Sequence, residues 1–405
     1  MADRVILHCD CNSFYASVEA ALNPEYKNVP MAVCGSESDR HGIVLAKNEL
    51  AKKYGIKTAE TVYSAKKKCP NLVIAEPHHE EYLKYSRRVN AIYARYTDMI
   101  EPFGIDESWL DVSASQKLFG SGYQIAERIR REVRDEIGIT VSVGFSFNKI
   151  FAKLGSDYKK PDAVTVIDRN NFKEIAYPLP VSSLLFVGKK TETMLLSMGI
   201  RTIGALAETS PSLLNMRFGK IGDMLHNYAS GKDDSPVLPI QEDAKSISNG
   251  FTFRHDLIGR NECKIGIDYL SEEIGRRLRN HGMKCGTVSL TIKDEFLHSI
   301  QRQRPQKPPT DLSREISKTA YSILLDVWEE DRPIRMITVS ATNLTKGYME
   351  QIALFSCDNE ENREKDKKRE NAVDKIRQKY GNESIVNGAV LDSDIGIYDF
   401  RNKKK

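Results

Sequence analysis

The chain has 405 residues, 40% hydrophobic and 29% charged, with a formal net charge of +4. That length exceeds one ordinary domain, and the composition excludes a disordered or collagen-like chain. No apolar run reaches the length of a membrane span, no signal peptide opens the chain, and the seven cysteines are scattered without metal-site spacing. A cytoplasmic protein with reduced thiols and no membrane partner is expected, and the mild basicity permits a nucleic-acid partner without arguing for one.

Residues 5–9 read as a buried strand and 14–22 as the helix after it. Cys9 and Cys11 share one face of that strand, and His8 and Asp10 share the other. Short strands are predicted at 31–34 and 42–45, and a helix at 46–54 that stops at Gly55. The stretch 80–97 predicts a long amphipathic helix, with Tyr82, Tyr85, Val89, Ile92, Tyr93 and Tyr96 near helical spacing. Strand-like runs at 99–103 and 108–112 flank Asp106 and Glu107; a helix at 123–137 and a strand at 140–145 follow. Two helices over one antiparallel sheet fit a ferredoxin-like α+β unit.

From 167 a helical unit begins. Val187-Gly188-Lys189-Lys190-Thr191, followed by Met198 through Gly204, has the form of a helix-hairpin-helix. Gly188 lets backbone N–H groups approach a phosphate, and Lys189 and Lys190 add charge; Phe186 stands where such turns often have Gly. The polar stretch 231–243, with Pro236 and Pro239, reads as a linker. A second α+β unit follows, with strands at 248–253, 287–293 and 336–342 and helices at 263–280 and 312–328. Arg276, Arg277, Arg279, Lys293, Arg302, Arg304 and Lys307 could meet phosphates, although acidic residues are almost as frequent there. A charged tail, 358–370, precedes 371–385.

The chemistry is concentrated in two segments. Asp10 ends an apolar strand just before Phe14-Tyr15, and Asp106-Glu107 interrupt the run from Pro102 to Asp111. Carboxylates on apolar strands are costly unless a cation compensates them, and oxygens converging from separate strands suit a hard cation such as Mg²⁺. A third block runs from Ser142 to Asp157 and is followed by Lys160-Pro161. Together the three resemble the Y-family DNA polymerases, the translesion class. The family pattern Asp-x-(Asp/Asn)-x-(Phe/Tyr)-(Phe/Tyr)-Ala-x-Val-Glu matches Asp10 through Glu19, and Ser/Gly-Ile-Asp-Glu-x-x-Leu-Asp matches Gly104 through Asp111.

The resemblance implies a multidomain α+β fold, the right-hand polymerase: palm at 1–22 and 76–166, fingers at 23–75, helix-hairpin-helix thumb at 167–235, linker at 236–244, little finger at 245–346, and a clamp-binding segment with charged tail at 347–405. It implies a monomer acting on primer-template DNA and dNTP. Asp10, Asp106 and Glu107 would hold two Mg²⁺ ions, with the main-chain carbonyl of Cys11 as a further ligand. Tyr15 takes the position of the steric gate that excludes a 2′-hydroxyl, beside a partly structural Phe14. Lys160 matches a triphosphate-binding lysine. Lys52 replaces the usual Arg, in a helix that normally opens Thr-Ala-Asn-Tyr and here reads Ala46-Lys47-Asn48-Glu49; Lys cannot form the fork of Arg. Gly35, Ile43 and Leu45 would roof the nascent base pair, and His8 reads as a packed core histidine.

Gln351-Ile352-Ala353-Leu354-Phe355 resembles the peptide that bacterial polymerases insert into the sliding clamp. Two alternatives to low-fidelity lesion bypass by the single chain stay open. One is a UmuC-like bypass subunit needing accessory proteins, because of the departures at 46–52. The other is a catalytically silent scaffold for DNA or clamp.

Overall fold

The computed structural model describes residues 4–35, 42–239, 243–346, 357–391 and 393–397, apart from the side chains of 357–361. The chain divides into two compact units, 1–35 with 43–241 and 36–42 with 242–405.

In the first unit, β1 (Ile6–Cys11) leads into α1 (Phe14–Leu22). Then β2 (Met31–Cys34), β3 (Val44–Lys47), α2 (Glu49–Lys53), α3 (Val62–Lys68) and β4 (Val73–Ala75) build a small module whose sheet has the order β3-β2-β4. The helix expected over 46–54 is shorter, because Ala46 and Lys47 belong to β3. Asn48 breaks the strand there: its side chain accepts the Ala51 N–H at 2.9 Å, capping α2, and donates to the Val29 carbonyl at 2.8 Å.

Next come α4 (His79–Tyr93), β5 (Ile100–Pro102), β6 (Glu107–Asp111), α5 (Gln116–Phe119), α6 (Gly122–Glu132), β7 (Val141–Ser146), α7 (Lys149–Tyr158) and β8 (Val164–Ile167). Their sheet has the order β5-β6-β1-β7-β8. It is mixed rather than wholly antiparallel, since α7 carries the chain back over the sheet and β8 pairs parallel to β7.

Strand β1 works on both faces. Leu7, Cys9 and Cys11 enter the core beneath α4 and α6, with Tyr82, Ile92, Ile125 and Ile129. Ile6 turns the other way, against Trp109 and Ala152 of α7. That second face is where Asp10 lies, two steps of two further along the strand. The unit closes with α8 (Phe172–Ala176), α9 (Lys189–Ser197), α10 (Ile203–Glu208), α11 (Pro211–Phe218) and α12 (Lys220–Ala229), whose apolar residues pack on Phe147 and Phe151.

The second unit runs β9 (Ser246–Leu257), α13 (Gly259–Asn280), β10 (Met283–Asp294), β11 (Ser299–Thr310), α14 (Ser313–Val327), β12 (Ile334–Lys346), α15 (Cys357–Tyr380) and α16 (Gly388–Leu391). Its sheet has the order β11-β10-β12-β9, with Ile267, Leu270, Ile274 and Ile316 of the helices packed on Leu290 and Val339. Strand β11 is not expected from the sequence. It carries Pro305, Pro308 and Pro309, which only an edge strand tolerates, and it is the sheet's edge.

The stretch expected as a charged tail is instead α15, bound to α13 and α14. Arg279 Nε donates to Asp374 at 2.6 Å, the same guanidinium pairs with Glu370, and Arg363 donates to Glu315 at 2.6 Å. The Arg279 side chain is only 8% exposed, so it is committed to this network and not to a phosphate. Arg276 pairs with Glu273 at 2.6 Å, and Arg304 pairs with Asp326 on the exposed surface.

Candidate active site

Asp10 stands directly opposite Glu107 in the β1–β6 ladder, which brings the two carboxylates onto one face. Asp106 lies in the turn immediately before β6, and its carbonyl accepts the Cys11 N–H at 3.0 Å. The turn is tight: the Phe103 and Gly104 N–H groups both reach the Glu107 carbonyl, at 3.0 and 3.3 Å. A Cβ at Gly104 would stand 3.3 Å from Asp106 Oδ1, so glycine keeps the carboxylate pair uncrowded.

Three carboxylates this close need positive charge. Lys153 of α7 supplies it, with Nζ 2.8 Å from Asp10 Oδ2, 2.7 Å from Glu107 Oε2 and 3.2 Å from Asp157. Lys160 adds a second ammonium, 2.8 Å from both Asp10 Oδ1 and Asp157 Oδ1. Burial, with Asp10 and Glu107 alongside, pushes the Asp106 carboxyl up to about 6. Burial works to raise Glu107 too, but the His8 ring and the Lys153 ammonium outweigh it and hold that carboxyl down at about 2. Burial opposes the charge on Lys153, yet Asp10 and Asp157 overcome it and the ammonium is held more firmly than usual.

His8 is fully buried, as expected, but it is also part of the site. Its Nδ1 is 2.8 Å from Ser156 Oγ and its Nε2 is 3.4 Å from Glu107 Oε2. Donor atoms of His8, Asp10 and Glu107 lie within 4.8 Å of one another. Glu107 Oε2 is buried and faces the Lys153 ammonium on one side and His8 Nε2 on the other. Partly buried carboxylates from two strands, with ammonium groups already drawn in to 2.7–2.8 Å as counter-charge, are a donor set of the kind that a hard divalent cation takes, so the residues fit such an ion.

The carboxylates open into a cleft of about 390 Å³ that also exposes Cys11, Phe14, Tyr15, Leu45, Lys47, Lys52, Lys153 and Lys160. Gly35 and Ile43 are not on its wall, although the Gly35 N–H bonds to the Ile43 carbonyl at 3.2 Å. Phe14 is mostly core, 3% exposed. Tyr15 is half-buried, its ring stacked on that of Tyr82 with centroids 4.1 Å apart. Lys52 Nζ is 2.5 Å from Glu49, and Lys47 Nζ donates to Thr58 Oγ1 at 2.9 Å, so two cations flank the cleft on the side of β3 and α2.

Gly188 caps α9 with Lys189 and Lys190 exposed behind it. Phe186, where Gly is usual, has φ of 69°, the left-handed region that a bulky residue occupies only with strain. The segment Gln351–Phe355, with its anchors Ile352, Leu354 and Phe355, lies outside the described residues. Lys153 escaped sequence reasoning, since a lysine on a helix reads as solvated; the helix's approach to the sheet gives it its role.

The impB/mucB/samB family matches residues 9–157, and its C-terminal domain matches 244–354. A DNA polymerase IV of Acetivibrio thermocellus is 47% identical over 395 residues, covering 96% of this chain and 98% of the relative. One from Moorella thermoacetica is 38% identical, with 98% of each chain covered. A solved Y-family DNA polymerase chimera, Dbh-Dpo4(243-245)-Dbh, superposes with a TM-score of 0.75 at 24% identity, over 85% of this chain and all of that one. Since the family's two domains fall one in each unit and the relatives align along nearly the whole length, this chain belongs to the Y-family DNA polymerases, on the DNA polymerase IV branch.

Proposed function

We propose that this chain performs template-directed, low-fidelity DNA synthesis past damaged bases, joining dNTP to a primer 3′-hydroxyl. The observation that carries the reading is the cross-strand pair Asp10–Glu107, with Asp106 beside it, at the floor of a cleft flanked by lysines. Asp10, Asp106 and the Cys11 carbonyl would hold Mg²⁺ against the triphosphate, with Glu107 on the primer side. Two bound Mg²⁺ ions supply the chemistry of such a site, lowering the pKa of the attacking hydroxyl and neutralising the leaving pyrophosphate.

The protein's own part is positioning and charge. Lys160 and Lys52 offer ammonium groups to the triphosphate, and Lys153 keeps the carboxylate cluster neutralised. Tyr15 lies beneath the nucleotide sugar and leaves no room for a 2′-hydroxyl. Leu45, with Ile43 and Gly35 behind it, roofs the nascent pair. The first unit comprises palm, fingers and thumb, with Gly188, Lys189 and Lys190 on the DNA backbone; the second is the little finger. Gln351–Phe355 is the docking peptide for a bacterial sliding clamp, and the chain works as a monomer.

Primer extension by the purified single chain tests this reading on intact and lesion-bearing templates with Mg²⁺. Extension past the lesion supports it, and dependence on added subunits would count against synthesis by the single chain. Asp106→Ala should reduce addition by orders of magnitude while DNA binding persists. Replacing Leu354 and Phe355 by Ala should remove clamp stimulation and leave extension on naked DNA intact.

A further inference from the structure

We propose that Tyr82 and Glu19 fix the plane of the Tyr15 ring and thereby act as positioning residues for sugar selection. The inference deepens the proposed function and rests on its placing of Tyr15 beneath the sugar.

Tyr15 is the second residue of α1, and one face of its ring is already taken. Tyr82 of α4 lies parallel to it, 11° from coplanar with centroids 4.1 Å apart. The other neighbouring rings meet Tyr15 differently: Phe14 is tilted by 48° at 5.9 Å, and His79 is edge-on at 6.0 Å. Only a parallel neighbour defines a ring's plane, and an offset stack is a favourable arrangement for two aromatics. Tyr82 is therefore the floor on which Tyr15 rests.

That floor is anchored. Tyr82 is fully buried, and its hydroxyl donates to Glu19 Oε1 at 2.5 Å. Glu19 is itself only 3% exposed and lies one helical turn after Tyr15, on the same side of α1. The Tyr82 side chain thus runs alongside α1, its ring against Tyr15 and its hydroxyl on Glu19. His78 closes the arrangement, with Nδ1 3.0 and 3.1 Å from the two Glu19 oxygens. A buried carboxylate held by two partners cannot swing away without losing charge-assisted hydrogen bonds, so Tyr82 can neither tilt nor withdraw.

A gate that works by shape depends on where its surface stands. A shift near one ångström in a positioning group can change rates on the order of a hundredfold. Freed from its floor, the Tyr15 ring could sink and open the space that a 2′-hydroxyl requires.

The test is single-nucleotide insertion with a dNTP and its matching rNTP, read as the ratio of their kcat/KM values. Tyr82→Leu removes the stacked face and should raise the ribonucleotide share about tenfold, while Tyr82→Phe and Glu19→Gln, which keep the stack and loosen the anchor, should raise it about threefold. Tyr15→Ala should raise it further, and adding Tyr82→Leu to that variant should change nothing more, because Tyr82 acts through Tyr15. A purely structural role for Tyr82 would lower both efficiencies together and leave the ratio alone. The inference is overturned if Tyr82→Phe and Glu19→Gln leave the ratio unchanged, or if Tyr82→Leu has its full effect without the Tyr15 ring. If Tyr82→Leu does not fold, those two milder variants decide. An unchanged ratio in Tyr15→Ala would overturn the sugar-gate reading, and this inference with it.

Discussion

Gly144 of β7 and Ala152 of α7 are in backbone contact: a Cβ on Gly144 would stand 1.9 Å from the Ala152 carbonyl oxygen. The helix therefore lies against the sheet at a distance that only glycine allows. Lys153 and Ser156 follow closely, and this approach lets the one reach Asp10 and the other reach His8.

Gly144→Ala should be among the most damaging small substitutions in the first unit. Backbone atoms cannot yield as a side-chain tip does, so α7 must lift, at a cost of about 2–3 kcal/mol. Urea unfolding should show that destabilisation, and primer extension at a temperature where the variant is folded should fall at least about tenfold as Lys153 leaves the carboxylates. A variant as active and as stable as wild type would mean that the helix can shift freely on the sheet.

Asp106 carries a pH signature. Its carboxyl is raised from 3.8 to about 6 in the folded chain. Well below pH 3.8 it is neutral in both states and costs nothing. Between about 4 and 6 the native state keeps its proton while the unfolded chain loses it, so the favourable contribution of the neutral form disappears as pH rises. In EDTA, Asp106→Asn should therefore be more stable than wild type at pH 7–8, by up to about 2 kcal/mol, and should approach it well below pH 3.8. Denaturant titrations across that range check the sign. The same variant should be inactive in nucleotide addition with Mg²⁺, which separates the stability gain from the functional loss.

Lys189 and Lys190 are exposed beside the open turn at Gly188. Replacing both with Gln should weaken DNA binding about equally on all sequences. The slope of log affinity against log salt should fall by about 1 for each phosphate that is no longer neutralised. Fluorescence anisotropy at several salt concentrations measures both quantities. Weakening confined to particular sequences would contradict binding to the DNA backbone.

Arg279 depends on α15 for its counter-charges. Glu370→Gln combined with Asp374→Asn leaves a nearly buried guanidinium without a carboxylate and should destabilise the second unit by about 3 kcal/mol or more. Ending the chain at 356 should do at least as much. The measure is the unfolding transition of each variant. Replacing Arg279 with Met in that double variant should restore part of the stability, since the orphaned charge is then gone.

What was legible in the sequence follows the reach of each physical signal. Asp10, Asp106 and Glu107 stand out because their two segments together resemble a family pattern; an Asp-Glu pair alone reads more readily as a surface pair. The alternation around Cys9 and Cys11 correctly assigned the two faces of β1. Three features were hidden because their cause is not local. The prolines of β11 argue against a strand until its edge position is known. Ala46 and Lys47 look helical until Asn48 is seen capping the next element. The many charges of α15 suggest solvent until Arg279 is seen to be their partner. Lys153 and His8 share that origin, since each gains its role from a neighbour more than a hundred residues away in the chain.

The alternation of β1 also binds chemistry to folding. Its odd positions fill the core beneath α4 and α6, and its even positions carry Asp10 to the acid floor, so no register of this strand keeps one and forfeits the other. A one-residue insertion between Ile6 and Asp10 would carry Asp10 into the apolar layer and a cysteine out of it. Such a copy would be lost to misfolding rather than persist as an inert occupant of damaged DNA. The segment is thus constrained by burial at each position and closed to any one-residue change of length.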